Sequence, residues 1–122
     1  MDAQRVVLDF CEAVKKRDAA ALAAFFAPDA VYHNIPLEPV QGREAIEATL
    51  KQFIDPNGEA EFDVRAIATA GNKVLTERVD RFTMQGRRVE VPVMGAFEVD
   101  AQGKITAWRD YFDMAQFMKQ LG

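Results

Sequence analysis

Val74-Leu75-Thr76-Glu77-Arg78-Val79-Asp80-Arg81-Phe82 is the stretch on which the fold turns. β-Branched and aromatic residues dominate it and neither Gly nor Pro interrupts it, so it reads as a β-strand. Side chains alternate faces along a strand. Val74, Thr76, Arg78, Asp80 and Phe82 therefore share one face, and Leu75, Glu77, Val79 and Arg81 share the other. Arg78 and Asp80 point the same way, one pleat repeat apart. On a solvated face they would be an ordinary surface ion pair. On a face turned into the domain they bury a cation and a carboxylate among apolar neighbours, which is costly unless the groups are paired and usually serves a purpose.

Downstream, Gln85-Gly86-Arg87 reads as a turn, and residues 89–99 as a strand with Val89, Val91, Val93, Gly95, Phe97 and Val99 on one side. Pro92 removes a backbone donor there, so an edge or a bulge is expected nearby. Asp100-Ala101-Gln102-Gly103 turns into a further strand over 104–112, and Asp113 is placed to cap a last helical segment over 114–121. Upstream, Ala70-Gly71-Asn72 is a hairpin turn. It follows a strand over 61–69 with Phe62, Val64, Ala66 and Ala68 expected on one face.

Before Asp55-Pro56-Asn57-Gly58, which reads as a turn, the chain is helical in period. Asp2 caps a helix with Val6, Val7, Phe10, Cys11 and Val14 on one face. Asp18 caps a second over 19–26, anchored by Leu22, Phe25 and Phe26 and ended by Pro28-Asp29. Gly42-Arg43-Glu44 leads a third through Phe53, with Ile46, Leu50, Phe53 and Ile54 as its apolar side. Between the second and third helices lie a short strand, 31–35, and a loop, 37–41. The order is α+β: helices gathered on one side of a curved, mostly antiparallel mixed sheet, enclosing one deep apolar pocket.

The 122 residues make one domain of ordinary size, 1–122, able to bury a core without disulfides or metal staples. A net charge of −4 with interspersed signs argues against a nucleic-acid surface. No apolar run approaches the ~20 residues of a membrane span. Met1-Asp2-Ala3-Gln4-Arg5 lacks the plan of a signal peptide, and Cys11 is the one cysteine. A reducing, cytoplasmic setting is expected. Cys11 on an apolar helical stripe reads as a small core residue.

Parity applied to 104–112 puts Thr106, Trp108, Asp110 and Phe112 on one face and Ile105, Ala107, Arg109 and Tyr111 on the other. If Trp108 and Phe112 face inward, Asp110 is buried between them; in the opposite setting Asp110 meets water and Tyr111 faces in. Tyr32 and Asn34 share a face of their strand, with His33 opposite. Five polar side chains, Tyr32, Asn34, Arg78, Asp80 and Asp110, are thus expected in one apolar cavity, the charged three coming from two neighbouring strands. Repulsion and burial push one carboxyl's pKa up while the arginine holds the other down. Such a pair can supply one acid and one base at neutral pH. Tyr and Asn offer the hydrogen bonds that hold a water. Ser is absent, which excludes a serine nucleophile, and His33, the only histidine, has no cluster of metal-ligand spacing around it.

Val31-Tyr32-His33-Asn34-Ile35-Pro36-Leu37-Glu38-Pro39, Thr76-Glu77-Arg78-Val79-Asp80 and Ile105-Thr106-Ala107-Trp108-Arg109-Asp110-Tyr111-Phe112-Asp113 together resemble the limonene-1,2-epoxide hydrolase family. That family belongs to the cone-shaped, nuclear-transport-factor-2-like superfamily with the SnoaL-like cyclases. The resemblance implies Asp110 as general base, Tyr32 and Asn34 as holders of the attacking water, Asp80 as general acid and Arg78 as the bridge between the carboxyls. It implies one-step hydrolysis of an epoxide to a vicinal diol, with no cofactor and no metal, in a homodimer joined through the outer sheet face. Leu37, Leu50, Val74, Phe82, Val91, Val93, Trp108 and Phe112 are the expected pocket lining for a small lipophilic epoxide. His33 points away from the site, and Asp113, the rival base, reads as a helix cap. The alternatives are a related cone-fold polyketide cyclase or isomerase, which needs one base and an enolate stabiliser, and a non-catalytic module that binds a hydrophobic ligand.

Overall fold

A computed structural model, which describes residues 2–54 and 56–122, begins with helix α1 (Ala3–Ala13), a 3₁₀ turn at Val14–Lys16 and helix α2 (Ala19–Ala23). The Asp2 carboxylate accepts from the Arg5 amide and that of Asp18 from the Ala21 amide, so each helix starts at its capping residue. The α1 stripe of Val7, Phe10 and Cys11 is buried, and Val14 of the 3₁₀ turn continues it. Phe10 meets the rings of Phe25, Phe26, Phe62, Phe97 and Trp108 edge-on, at centroid distances of 5.1 to 6.4 Å. Each such ring contributes roughly 1.5–3 kcal/mol of burial.

The second helix is shorter than its alanines suggest. It stops at Ala23, and Phe26 already opens strand β1 (Phe26–Asn34). The carbonyls that would continue the helix are taken elsewhere: Phe25 O accepts from the Ile105 amide and Ala24 O from Lys104 Nζ. Tertiary pairing thus overrides helix propensity. Pro28 falls where the β1 pairing shifts register, between Phe26 and Val31, so its missing N–H breaks no ladder. Within the expected loop, a two-residue strand β2 (Val40–Gln41) pairs with Val31 and Tyr32. Helix α3 (Arg43–Phe53) follows, with Ile46 and Leu50 buried. Of the turn expected at 55–58, Asp55 lies outside the described residues.

Four long strands follow: β3 (Ala60–Ala70), β4 (Lys73–Met84), β5 (Arg87–Val99) and β6 (Ile105–Tyr111), with helix α4 (Met114–Leu121) closing the chain. The Asp113 carboxylate accepts from the Gln116 amide, which makes it the cap of α4. The sheet order is β2-β1-β6-β5-β4-β3. Among the described residues only the β1–β6 pair is parallel. Two expectations change. β4 and β6 are not neighbours, because β5 runs between them. In β3 the register shifts between Val64 and Ala66, so Ile67 rather than Ala66 or Ala68 packs on the core. One extra residue in a strand reverses the parity of everything beyond it.

Pro92 lies past the end of the β5–β6 ladder, which begins at Met94–Tyr111. Glu90, two residues away and so facing the same edge, donates its N–H to Gln120 Oε1 of α4 and accepts at its carbonyl from Gln120 Nε2. The missing donor of Pro92 therefore faces a free edge, as a proline in a strand requires. Among the described residues no helix is long and apolar enough to cross a membrane.

Candidate active site

Strand pairing sets out the polar residues as a grid. The parallel β1–β6 register puts Asn34 beside Asp110 and Tyr32 beside Trp108. On the far side, Asp110 is level with Gly95 of β5, and Gly95 with Thr76 of β4. Arg78 and Asp80 lie one and two pleat repeats further along β4, opposite Val93 and Val91. All of these point to the helix side of the sheet.

Arg78, 1% exposed, is the hub. Nε donates to Asp80 Oδ1 at 2.9 Å and Nη2 to Asp80 Oδ2 at 2.7 Å. Nη2 also donates to Asp110 Oδ2 at 2.8 Å, and Nη1 to Asp110 Oδ1 at 3.2 Å and to Thr76 Oγ1 at 3.1 Å. All five guanidinium N–H groups are thereby used, two on each carboxylate and one on the threonine. The planar cation sits 4.7 Å from the centroid of the Phe62 ring and 5.9 Å from that of Phe97. Asp110 takes a further hydrogen bond, 2.6 Å, from Trp108 Nε1. The Trp108 ring is stacked between Tyr32, at 4.0 Å, and Phe97, at 5.5 Å. Tyr32 Oη donates to Asn34 Oδ1 at 3.2 Å.

Burial drives the electrostatics. The Asp80 carboxyl is pushed up to about 6: desolvation favours its neutral form, the Arg78 cation opposes that, and the Asp110 charge adds to the rise. Burial also works against the charge on Arg78, but the fields of Asp110 and Asp80 outweigh it and the guanidinium stays charged. Burial, then the Asp110 charge, pushes the Tyr32 phenol well above its ordinary value, so it remains a neutral donor and acceptor. The Cys11 thiol is pushed up to about 12, chiefly by burial, which leaves it an inert core group.

These groups open onto a cavity of about 130 Å³ with mainly apolar walls. Tyr32, Asn34, Asp80 and Asp110 reach its surface, while Arg78 lies behind them. Of the expected lining, Leu37, Phe82, Val91, Val93 and Phe112 are present. Leu50, Val74 and Trp108 are not; all three are buried in the closed core. Leu50 is fully buried in the core rather than at the cavity wall. Val74 has the right strand face but the wrong end, opposite Phe97 and away from Phe82 and Met84, which do line the cavity. Trp108 is roofed by the Tyr32 ring. The lining also includes Thr49, Gln52 and Phe53 from α3, Phe62 from β3, Met84 from β4 and Phe117 from α4. The first three share a helix face by spacing alone; Phe117 required knowing where α4 docks. His33, on the opposite face, bonds the Leu37 carbonyl through Nε2 at 2.9 Å and steadies the 34–37 turn.

The arrangement offers a carboxyl that can hold a proton near neutrality, a second carboxyl held by three donor bonds, and a Tyr–Asn pair beside it, within an apolar chamber. That equipment suits proton delivery to one atom and proton removal from a water on its other side.

The chain matches, over residues 1–122, the family described as the limonene-1,2-epoxide hydrolase catalytic domain. Epoxide hydrolase EphG of Mycobacterium tuberculosis is 35% identical over 114 residues, spanning 92% of this chain and 74% of that protein. A solved structure of an LEH-like epoxide hydrolase from M. tuberculosis superposes with a TM-score of 0.83 at 34% identity, over 98% of this chain and 88% of the other. A putative SnoaL-like polyketide cyclase from Shewanella denitrificans OS-217 superposes with a TM-score of 0.82 at 17% identity, over 98% and 96%, a likeness of fold alone.

Proposed function

The chain belongs to the limonene-1,2-epoxide hydrolase family and is an epoxide hydrolase, and from that premise we propose that it opens a small lipophilic epoxide to a vicinal diol in one step, without a cofactor. The observation that carries the reading is the buried Arg78, bidentate to both Asp80 and Asp110 at the polar end of the apolar cavity. Water, held by Tyr32 and Asn34, gives a proton to Asp110 as its oxygen attacks an epoxide carbon. The carbon–oxygen bond of the ring breaks, and its electron pair takes the Asp80 proton. One proton has then passed from Asp80 to Asp110 through the reactants, and exchange with solvent resets the pair. Arg78 stays charged throughout and keeps the two carboxyls in register. General acid and general base groups each contribute roughly 10²–10⁴-fold when so placed, and dry walls strengthen both effects.

The apolar walls favour a compact hydrocarbon epoxide, and a lining that holds no cationic side chain among the described residues disfavours an anionic one. A cyclase or isomerase built on this fold needs one base and an enolate stabiliser, which leaves the second carboxyl and the Tyr–Asn pair without a task. The same reading takes the enzyme as a cytoplasmic homodimer joined by its outer sheet face.

The test is diol formation from a panel that includes styrene oxide and cyclohexene oxide. Wild type is expected to turn over at least one of them, and Asp110→Asn, folded, to lose at least ~10³-fold in rate, within the reach of one catalytic base plus its water. In ¹⁸O-water, a single turnover should label the diol and leave the protein unlabelled. Labelled carboxylate in a recovered peptide, or an Asp110→Asn variant as fast as wild type, would sink the mechanism.

A further inference from the structure

We propose that Gly95 is a positioning residue for this site: its missing side chain is the passage through which Arg78 reaches Asp110. The catalytic consequence rests on the hydrolase reading above; the steric one does not.

β4 and β6 flank β5, and strands lie about 4.8 Å apart, so the backbones that carry Arg78 and Asp110 are roughly 10 Å apart. The guanidinium must cross the inner face of β5 to make its second pair. That face is a row of four valines and one phenylalanine: Val89, Val91, Val93, Phe97 and Val99. Its one gap is Gly95, which stands in register with Thr76 on one side and Asp110 on the other. A Cβ built on Gly95 would overlap Arg78 Nη1, and would stand 2.6 Å from Asp110 Oδ1 and 3.0 Å from Thr76 Oγ1.

None of these atoms is free to yield. Nη1 is tied to Thr76 and Asp110, Asp110 Oδ1 is tied to Trp108 as well, and Thr76 Oγ1 itself donates to the Gly95 carbonyl at 3.3 Å. The backbone does not ask for glycine here, since Gly95 is not among the positive-φ glycines. Glycine weakens a strand interior, so its presence in mid-strand marks close approach by another group. That group is the Arg78 side chain. Gly95 does not line the cavity, so substrate does not touch it.

Gly95→Ala should therefore fold, bind epoxide with KM within about twofold of wild type, and lose about 100-fold in kcat, the loss that follows from misplacing a catalytic group by about 1 Å. Equal kcat in the two proteins would overturn the proposal. A second measurement needs no turnover. Gly95→Ala should lower the thermal unfolding midpoint in the wild-type background and lower it by clearly less in an Arg78→Ala background at about pH 5, where Asp80 takes up its proton and only the approaches to Asp110 and Thr76 remain. A glycine required for any other reason would cost the same in both backgrounds, and that result too would overturn the proposal. If the wild type hydrolyses no epoxide but the cycle is non-additive, the hydrolase reading fails and the passage stands. Should the Arg78→Ala background not fold, a crystal structure of Gly95→Ala decides: a Nη1–Asp110 Oδ1 separation still near the present 3.2 Å counts against the proposal, and one beyond hydrogen-bond reach supports it.

Discussion

Asp80 and Asp110 share one arginine, yet their surroundings differ. Asp80 takes two hydrogen bonds, both from Arg78, whereas Asp110 takes two from Arg78 and a third from the Trp108 indole. Burial pushes the less well-supported Asp80 carboxyl up, from 3.8 to about 6. The folded protein thus keeps the Asp80 proton to a higher pH than the unfolded chain does. Between about pH 4 and pH 6 the native state binds more protons, so stability falls as pH rises through that window and stays lower above it. A gap of about two pH units is worth on the order of 3 kcal/mol. Urea unfolding of wild type and Asp80→Asn across pH 4.5 to 7.5 should show the variant gaining on wild type as pH rises; parallel curves would remove the effect. In the same picture kcat/KM falls above about pH 6, with an apparent pKa that belongs to the coupled pair rather than to one residue.

Helix α4 has no fully buried residue, but it makes one wall of the chamber. Phe117 and Leu121 pack on Val89, Val91 and Val93, and the Gln120 amide closes the free edge of β5 at Glu90. Phe117→Ala should remove part of the wall. A loss of about 1.4 kcal/mol of apolar contact would lower kcat/KM for a small epoxide about tenfold, mostly through KM, while a bulkier epoxide should lose less. Kinetics on cyclohexene oxide against a larger cyclic epoxide check this; an equal loss on both would mean that Phe117 does not shape the chamber. Legibility divides at this scale. Alternation within single strands was readable, so Arg78 with Asp80, Trp108 with Asp110 and Tyr32 with Asn34 could be put on their faces from spacing alone. What spacing does not encode is partnership: that β5 runs between the two acidic strands, that the shift after Val64 reverses β3, that β1 begins at Phe26, and that α4 docks over the cavity. The same gap explains Val74, whose face was readable and whose end of the strand was not. Gly95 was visible as an inward position on its strand, but its meaning depends on two neighbours far away in the chain.

At the scale of the molecule, the sheet has a helix-covered face that holds the site and an outer face that no helix among the described residues covers. On that outer face Leu75, Met94 and Tyr111 are each about half exposed, 49% to 51%. They are grouped by register: Met94 is opposite Tyr111, and Leu75 is opposite Ala96 one strand over. Ion pairs border them, Arg109 with Glu98 and Arg81 with Glu61, Asp63 and Glu90. An apolar centre with a charged rim is the anatomy of a protein–protein interface. A two-fold axis would set the same patch against itself, which is the commonest closed arrangement of like chains. The expected outcome is a species of twice the 13.7 kDa chain mass in sedimentation at micromolar concentration. Met94→Asp, which would set two carboxylates against an apolar centre, should shift that species to the single chain. A wild type that sediments as one chain at every concentration would leave the outer face without a partner copy, and a Met94→Asp dimer as tight as wild type would move the interface elsewhere.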